Sequence, residues 1–428
     1  MKRYWELIII AAFAIFVIGA FYIQKAVAEN QLPTFEWKKQ AGNDDFIARA
    51  QLGGSLTEDL YHNELMISAD GTTYRSELSL IKELKGMRKH PIIEGLQEEH
   101  RNFMRGKDGE LTHFYEDDNL LVYAEADSKW DRQTYTESDF QLNIDVLYKD
   151  KNDKVSFTVD IPNQDDYRYM MVEDVVVTNE NLHVITRNEL VTTDDQMSNE
   201  LRIYRINLTG EKLINEESIV TYTNGGEDNN TEIMLLQDPE DIEKNNDIVF
   251  QADYYEPEQL EDGSYQDVVK DSKLFTFNLE TREKVQLDIP KKLQKQEIIP
   301  VNDDNIYFLQ NTAKGIEITT FAIAEQKVTN SFQIELPKQP DMPEIDEKAA
   351  ELTGETAVTD AEINWGQYRM KDGKLYITSG KQTESSNLSM HVVDLNNGDI
   401  LYKGKLERTD NPKAGTAYSL DFYEMTVK

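Results

Sequence analysis

Histidine is the residue type in this chain best suited to metal or acid–base chemistry, so the spacing of the histidines is the first test of a catalytic role. The chain has His62, His90, His100, His113, His183 and His391. No two of them are separated by a single residue, and none belongs to a His-Glu-x-x-His helix of the kind that holds catalytic zinc. The sequence therefore predicts no local metal site built on histidine.

Carboxylates are abundant, but no pair of them is marked as an acid–base couple. Asp228–Glu232 and Asp150–Asp153 have the oxygen density that calcium favours, yet neither has the glycine and distal glutamate of an EF-hand loop. We interpret both as turns. The chain also lacks a Gly-x-Ser-x-Gly elbow, a phosphate-binding loop and a Gly-x-Gly-x-x-Gly fingerprint. We assign no catalytic, metal-binding or cofactor-binding residue and expect no cofactor.

The composition narrows the classes of partner. Eighty Asp and Glu residues oppose 45 Lys and Arg residues, which gives a net charge of −35. A surface of this sign repels the phosphates of nucleic acid, so we expect no nucleic-acid partner. The chain has no cysteine, which excludes disulfides, thiolate metal sites and an acylated lipoprotein anchor. An exported protein without cysteine is more typical of a bacterium than of a eukaryotic secretory route.

The N-terminus predicts a membrane anchor. Residues 7–23 carry no charge and, as a helix, would rise roughly 25 Å, close to the thickness of the hydrocarbon core. Lys2 and Arg3 precede this segment, which favours a cytoplasmic N-terminus at 1–6, a stalk at 24–44 and an extracytoplasmic domain at 45–428 of a cell-membrane protein. The alternative is a signal peptide cleaved after Ala28, because Ala26-Val27-Ala28 has the form that signal peptidase recognises.

The elements that would position any site are arranged as a tandem repeat. A short apolar strand recurs after a polar turn, and a strand-turn-strand element follows each copy. The apolar strands begin at Asn119, Asn181, Asp247, Asn305 and Lys374, and the strand-turn-strand elements begin at Val146, Tyr204, Thr276, Phe321 and Val392. A further strand precedes four of the apolar strands. Each unit thus has about four strands and cannot bury both of its faces alone, as in the blades of a β-propeller.

The strand-turn-strand element resembles that of quinoprotein-like and WD40-like propeller repeat proteins, in a membrane-anchored bacterial form. The likeness is greatest at Asp394–Tyr402, although no Trp-Asp or Gly-Gly signature recurs once per repeat. This resemblance implies an all-β fold, a single propeller of about six four-stranded blades behind one transmembrane helix. It carries no quinone cofactor over to this chain. Two unrelated β-rich domains or a β-solenoid remain the alternative folds.

Two segments interrupt the repeat. Residues 72–84 alternate apolar and polar residues as a strand does, and a short helical insertion is predicted near 91–105, with Ile93, Leu96, His100, Phe103 and Met104 on one side. Residues 75–107 carry eight basic and five acidic residues, so this segment is either a docking patch for an acidic partner or the membrane surface, or a solvated helix packed on the propeller edge. Residues 336–360 are rich in proline and acidic residues and predict a protruding, mobile loop.

The two ends of the chain are expected to meet. Residues 417–427 read as a strand with nothing after it to complete a unit, and the N-terminal unit has strands at 64–68 and 72–84. Because an open ring would expose sheet edges, we predict that these strands share one sheet.

These observations favour a membrane-tethered extracytoplasmic binding or scaffold protein, acting as an accessory or sensor subunit of a membrane complex, with a protein or envelope ligand. The alternative is a surface-tethered hydrolase or lyase that acts on polysaccharide through carboxylates in the central funnel. Asp or Glu converging there with Arg or His would favour the enzyme.

Overall fold

A computed structural model describes residues 32–58, 61–78, 90–132, 136–191, 197–224, 230–242, 246–259, 264–294, 296–300, 304–312, 314–336, 365–380, 382–383, 386–410 and 418–428. The predicted cytoplasmic segment at 1–6, the anchor at 7–23 and nearly all of the loop at 336–360 lie outside these residues. In the described part of the chain, no helix has the length and hydropathy that a membrane span requires.

The described residues form two α-helices and 26 strands. The helices are α1 (Asp44–Ile47) and α2 (Pro91–Glu99). The strands of the first half are β1 (Phe35–Gly42), β2 (Ala50–Glu58), β3 (Tyr61–Ser68), β4 (Gly71–Tyr74), β5 (Phe114–Glu116), β6 (Leu120–Asp131), β7 (Thr136–Tyr148), β8 (Asp153–Asp160), β9 (Tyr167–Thr178), β10 (Asn181–Leu190), β11 (Met197–Asn207), β12 (Lys212–Asn224) and β13 (Asn230–Leu235). Those of the second half are β14 (Asp247–Gln259), β15 (Tyr265–Asn278), β16 (Lys284–Gln286), β17 (Glu297–Ile299), β18 (Asn305–Thr312), β19 (Gly315–Ala322), β20 (Lys327–Glu335), β21 (Trp365–Lys371), β22 (Lys374–Ser379), β23 (Gln382–Thr383), β24 (Ser389–Asp394), β25 (Ile400–Arg408) and β26 (Tyr418–Val427).

The strands form six antiparallel sheets, which we call blades I to VI. Blade I has the order β23-β26-β2-β3-β4, and blades II to V are β5–β8, β9–β12, β13–β16 and β17–β20 in chain order. Blade VI has the order β21-β22-β24-β25-β1. The prediction of an all-β protein built from tandem four-stranded units is therefore confirmed.

The recurring apolar strands are the second strands of their blades, and they are buried on both faces. In β14, Ile248 and Phe250 pack toward blade III, whereas the intervening Val249 packs toward blade V. In β22, Tyr376 faces blade I, whereas Leu375 faces blade V. A strand covered on both faces needs a continuous apolar run rather than alternation, which is why these segments are the strongest signal in the sequence.

Buried apolar clusters join the blades in chain order. Separate clusters link blades II and III, III and IV, IV and V, V and VI, and VI and I. The cluster on the remaining face of blade II joins it to the helical insertion, through Ile93, Leu96, Phe103 and Met104. Six blades packed in sequence in this way form a β-propeller, with the insertion on the face of blade II that is turned away from blade III.

The predicted meeting of the chain ends is confirmed. Strand β26 pairs with β2 along its whole length, from Val427 opposite Ala50 to Tyr418 opposite Glu58, in the sheet that also contains β3 and β4. The C-terminal strand thus supplies the innermost long strand of blade I, next to the two-residue β23, and three N-terminal strands complete the sheet. The predicted strand at 72–84 is shorter than expected, since β4 ends at Tyr74 and a 3₁₀ turn follows at residues 75–77.

The predicted stalk at 24–44 is wrong at its C-terminal end. Residues Phe35–Gly42 form β1, which pairs with β25 at the outer edge of blade VI. Phe35 is fully buried there, but the strand after Trp37 is polar and exposed. An edge strand with two apolar residues followed by Lys38, Lys39 and Gln40 has too little alternation to be recognised from the sequence.

The predicted helix near 91–105 is also shorter than expected, because α2 ends at Glu99. Its last turn contains Glu98 and Glu99 and no basic residue. Acidic side chains at a helix C-terminus oppose the helix dipole, which accounts for the early end. The amphipathic face itself is confirmed, because Ile93, Leu96 and the following Phe103 and Met104 are all buried.

Candidate functional site

The first strands of the blades surround the axis of the propeller. Tyr368 of β21 donates a hydrogen bond to Glu297 of β17 at 3.0 Å, and the side chain of Gln367 donates to the carbonyl oxygen of Phe422 in β26 at 3.1 Å. The fourth strands β8 and β20 are instead mostly exposed. Chemistry at the axis therefore depends on the first strands and on the segments that follow them.

One such segment closes an end of the axis. Residues 236–242, which we call the plug, follow β13 and reach two other blades. Glu240 accepts hydrogen bonds from Arg369 of β21 at 2.5 Å and from His90, just before α2, at 2.7 Å. The carbonyl oxygen of Ile242 accepts a bond from the backbone N–H of Glu116 in β5 at 2.9 Å. The plug therefore joins blades IV, VI and II and the helical insertion.

The plug brings a group of ionisable side chains into the interior. Asp238 and Glu240 are each only 4% exposed, and Asp238 lies 3.8 Å from Arg369. Burial would raise the pKa of Glu240, but hydrogen bonds from His90 and Arg369 outweigh it and hold that pKa below its ordinary value. Burial raises the pKa of Asp238, and the nearby Arg369 offsets only part of this effect.

This group has the composition that the sequence analysis associated with an enzyme, since Asp and Glu converge with Arg and His near the axis. Two carboxyl groups whose pKa values are displaced in opposite directions also suit an acid and a base. However, both carboxyls are almost completely buried, and Glu240 is occupied by two partners. No sequence motif marks these residues, because Asp238-Pro239-Glu240 reads as an ordinary turn.

The residues singled out from the sequence do not come together. His62 bonds to Thr57, His113 lies 3.0 Å from Asp108, and His183 bonds to Thr178. His391 is fully buried in β24, and His100 lies 3.7 Å from Glu116. Among the described residues, no three His, Asp or Glu side chains are grouped as a metal site would need.

Of the two acidic segments interpreted as turns, the structure describes one in full and the other only in part. Asp150–Asp153 is the turn between β7 and β8, as predicted, and Asn152 takes a positive φ of 49° there. Of Asp228–Glu232, residues 228 and 229 lie outside the described part of the chain, and Glu232 is an exposed residue of β13.

A second feature of the axis is a set of exposed apolar side chains. We define the axis face as Tyr169 and Met171 of β9, Glu232 and Met234 of β13, and Asp421 and Tyr423 of β26. Tyr169, Met171, Met234 and Tyr423 are 45%, 39%, 48% and 46% exposed. On each strand, the neighbouring side chains that point the other way, such as Met170, Ile233 and Leu420, are buried against the preceding blade.

The exposed apolar residues are unevenly distributed. Trp130 lies at the end of β6, Val191 follows β10 and Tyr265 begins β15, all at the end of the propeller where the first strands begin. Of the large exposed apolar side chains in the described segments, Ile214, Ile400 and Met234 lie toward the opposite end. Singly exposed apolar residues are normal on a protein surface, but a concentration at one end marks an interaction surface.

No protein-family model and no curated protein sequence matches this chain. Among solved structures it is similar to the polysaccharide lyase Uly1, with a TM-score of 0.35, 10% identity and 69% of this chain covered. It is also similar to the β-propeller domain of the Trilobed protease from Pyrococcus furiosus, with a TM-score of 0.22, 10% identity and 67% of this chain and 80% of that domain covered. The Dos1 propeller gives a TM-score of 0.27, 9% identity and 67% coverage.

This chain spans 57% of the length of the lyase and 63% of that of the Dos1 propeller. Likenesses at these scores carry no information about the activity of this chain.

Proposed function

We propose that this chain is a membrane-tethered extracytoplasmic binding or scaffold protein, whose binding site for a partner protein is the axis face. The observation that carries the proposal is the set of exposed tyrosine and methionine side chains on the first strands. Methionine and tyrosine adapt to a partner surface and bury a large apolar area at low entropic cost. The plug covers the end of the axis at which the first strands finish, whereas Tyr169 and Met171 stand near the start of β9, at the other end.

The membrane tether in this proposal is the apolar segment at 7–23. The propeller begins at Phe35, and even a fully extended chain between residues 23 and 35 spans at most roughly 40 Å. The propeller would then be held close to the outer surface of the bilayer, within reach of the extracytoplasmic parts of other membrane proteins.

Photo-crosslinking of the full-length protein in intact cells tests this function. A photo-reactive residue at position 171 or 234 should form crosslinks to a discrete partner, because both side chains are exposed on the axis face. The same residue at position 214 or 400, on the outer strands β12 and β25, is the matched control. Equal crosslinking from both pairs of positions, or none from either, would contradict a binding site on the axis face.

A second candidate is the surface-tethered hydrolase or lyase that acts on polysaccharide. The opposite pKa displacements of Asp238 and Glu240 favour it, with Asp238 as the acid. This reading requires the plug to move, because both carboxyls are buried. Loss of activity on a cell-wall polysaccharide in Asp238→Asn, with an unchanged melting temperature, would support the enzyme. If the wild-type protein has no such activity, the role of the buried Asp238 and Glu240 is structural.

A further inference from the structure

We infer that the partner of the axis face is a cationic protein segment in which Lys or Arg residues are interspersed with apolar residues. This inference rests on the proposed binding function and specifies the chemistry of the partner. Acidic and apolar side chains alternate on the axis face: Glu232 and Met234 stand two residues apart on one face of β13, and Asp421 and Tyr423 occupy the same relation in β26. A complementary ligand therefore needs positive and apolar groups side by side.

In the described part of the chain, the carboxylates near the axis face have uncharged hydrogen-bond donors as partners. Glu232 accepts a hydrogen bond from the hydroxyl of Tyr255 at 2.9 Å, and Asp421 accepts one from the hydroxyl of Ser419 at 3.3 Å. Asp253 accepts two from the amide of Gln251, at 2.8 and 2.9 Å. These donors carry no charge, so none of these hydrogen bonds is an ion pair.

The nearby cations are engaged elsewhere. Arg168 pairs with Glu189 at 3.2 Å, and Arg187 pairs with Glu173 at 2.6 Å. On the hairpin of β14 and β15, Lys270 pairs with Glu258 at 3.4 Å. The described cations around the axis face therefore balance other carboxylates, and the face itself retains an excess of negative charge that a cationic ligand would complement.

One pair of carboxylates lies where their mutual repulsion destabilises the sheet. Glu232 and Asp253 stand directly opposite each other on β13 and β14, with their side chains on the same face. Like charges directly opposite in a sheet destabilise it. A lysine or arginine of a bound partner, placed between the two carboxylates, would attract both of them. The repulsion therefore destabilises the free protein and is relieved when the partner binds.

The chemistry of the face favours a protein segment over other cations and polymers. A metal ion would need at least one further carboxylate or histidine, and none is grouped with Glu232 and Asp253 among the described residues. A bare cation would also leave Met171, Met234 and Tyr423 exposed. Nucleic acid and anionic lipid would be repelled. A segment with both cationic and apolar side chains satisfies every group on the face.

Peptide binding to the full-length protein in detergent micelles tests the inference. The probe is a fluorescent peptide that repeats Lys-Ser-Leu-Ser, and two matched peptides replace Lys by Glu or Leu by Ser. We expect binding of the probe that weakens with added salt, binding about tenfold weaker without leucine, and no binding of the Glu peptide. Equal binding of the Lys and Glu peptides, or binding of a neutral oligosaccharide in place of all three, would overturn the inference.

Neutral variants locate the binding and separate it from folding. Glu232→Gln combined with Asp253→Asn should weaken peptide binding about tenfold and yet raise the melting temperature, because the repulsion between the two strands is removed. A misfolded variant would instead lose peptide binding and have a lower melting temperature. Glu335→Gln combined with Ile214→Ser, at exposed positions away from the face, is the matched control and should bind as the wild type does.

The two proposals fail in distinguishable ways. If crosslinks from positions 171 and 234 identify a partner but the neutral variant of Glu232 and Asp253 crosslinks equally well, the binding function stands and the cationic chemistry is wrong. If no crosslink forms from the axis face, both are wrong.

Discussion

At the scale of single residues, the plug depends on Arg369. Its guanidinium is the cation that faces both Glu240 and Asp238, and the carboxyls are nearly inaccessible to water. A buried carboxylate without its partner retains the full cost of desolvation. Removal of Arg369 would therefore destabilise the plug mainly because it would leave buried carboxylates without a partner. The net strength of the ion pairs is the smaller contribution.

Replacing Arg369 by methionine should lower the free energy of unfolding by about 3 kcal/mol, because it leaves Glu240 buried without its main cation. Adding Glu240→Gln should recover much of this loss, since an amide is far cheaper to bury than a carboxylate. Urea unfolding of both variants measures the coupling. If the two losses simply add, the side chains do not act as a pair.

Two buried histidines predict how stability depends on pH. Burial lowers the pKa of His183 and of His391 to about 4, whereas a histidine in the unfolded chain has a pKa near 6.5. The unfolded chain therefore takes up protons first as the pH falls. Their contribution to stability is fully present above about pH 6.5 and is lost progressively between about pH 6.5 and 4, up to roughly 3 kcal/mol for each histidine.

His391→Leu tests this pH dependence. Neither ring nitrogen of His391 has a hydrogen-bond partner among the described residues, so an apolar side chain of similar size should be tolerated at pH 7.5. The variant should lose less stability than the wild type on acidification to pH 5, as measured by urea unfolding. His62→Leu, at an exposed position, is the control. An unchanged pH dependence in His391→Leu would show that this histidine is accessible to protons in the fold.

Sequence reasoning could not have found the residues of the plug. Asp238 and Glu240 carry no motif, and they meet Arg369 and His90 only because the plug crosses between blades. In a chain with 80 acidic residues, the two that matter are distinguished by burial, which depends on the tertiary structure. The spacing of the six histidines bears only on local metal motifs, because those motifs have a defined spacing.

At the scale of elements, β1 is attached to blade VI through a turn that requires glycine. Gly42 has φ +84°, and a Cβ there would lie 2.0 Å from the carbonyl oxygen of Leu401. That oxygen accepts the backbone N–H of Asn43 at 3.0 Å. Close backbone contact and a positive φ together exclude any other residue at this position.

Gly42→Ala should therefore weaken the attachment of β1 and destabilise the protein by more than about 1 kcal/mol. Gly71→Ala is a matched control, because Gly71 also has a positive φ but a Cβ there would meet nothing within 4 Å. The difference between the two melting temperatures isolates the steric clash. Equal losses in the two variants would mean that backbone strain alone accounts for the effect.

Helix α2 offers a change in the opposite direction. Gly95 lies inside the helix, and a Cβ at this position would meet nothing within 4 Å. Gly95→Ala should stabilise the insertion by about 0.5–1 kcal/mol, because glycine loses more backbone entropy on folding than alanine does. Slower amide hydrogen exchange in residues 93–99, with unchanged exchange in blade V, is the expected result. Faster exchange in the helix would show that the added methyl group does clash.

The elements that the sequence predicted well are those buried on both faces. The second strands are continuous apolar runs, and the hairpins after them carry clear turn residues, so both stood out. Strand β1 was missed because one side of it is exposed and its pattern is mostly polar. The amphipathic face of α2 was visible, but periodicity states only that a face is buried and not that it packs against blade II.

At the scale of the whole molecule, the closing of the ring could be predicted because it follows from a count of strands. A final strand without a unit of its own, and an N-terminal unit with strands at 64–68 and 72–84, leave no open edge if they share one sheet. The additional pairing of β1 with blade VI did not follow from that count. The two ends of the chain thus bind each other's blades, through β26 in blade I and β1 in blade VI.

The two end strands should differ in how much of the fold depends on them. Strand β26 lies within blade I between β23 and β2, and its Leu420, Met425 and Val427 are buried against blade VI. Three such side chains represent about 5–9 kcal/mol of apolar burial, which is comparable with the whole stability of a typical domain. Deleting the last 12 residues should therefore unfold or aggregate the propeller.

Strand β1 lies at an outer edge and contributes only Phe35 as a fully buried side chain, so deleting residues 35–42 should cost a few kcal/mol at most and leave a folded ring. Circular dichroism and size-exclusion chromatography of both deletions decide the matter. If the C-terminal deletion remains a folded monomer of unchanged stability, β26 is dispensable and the propeller does not depend on its closure.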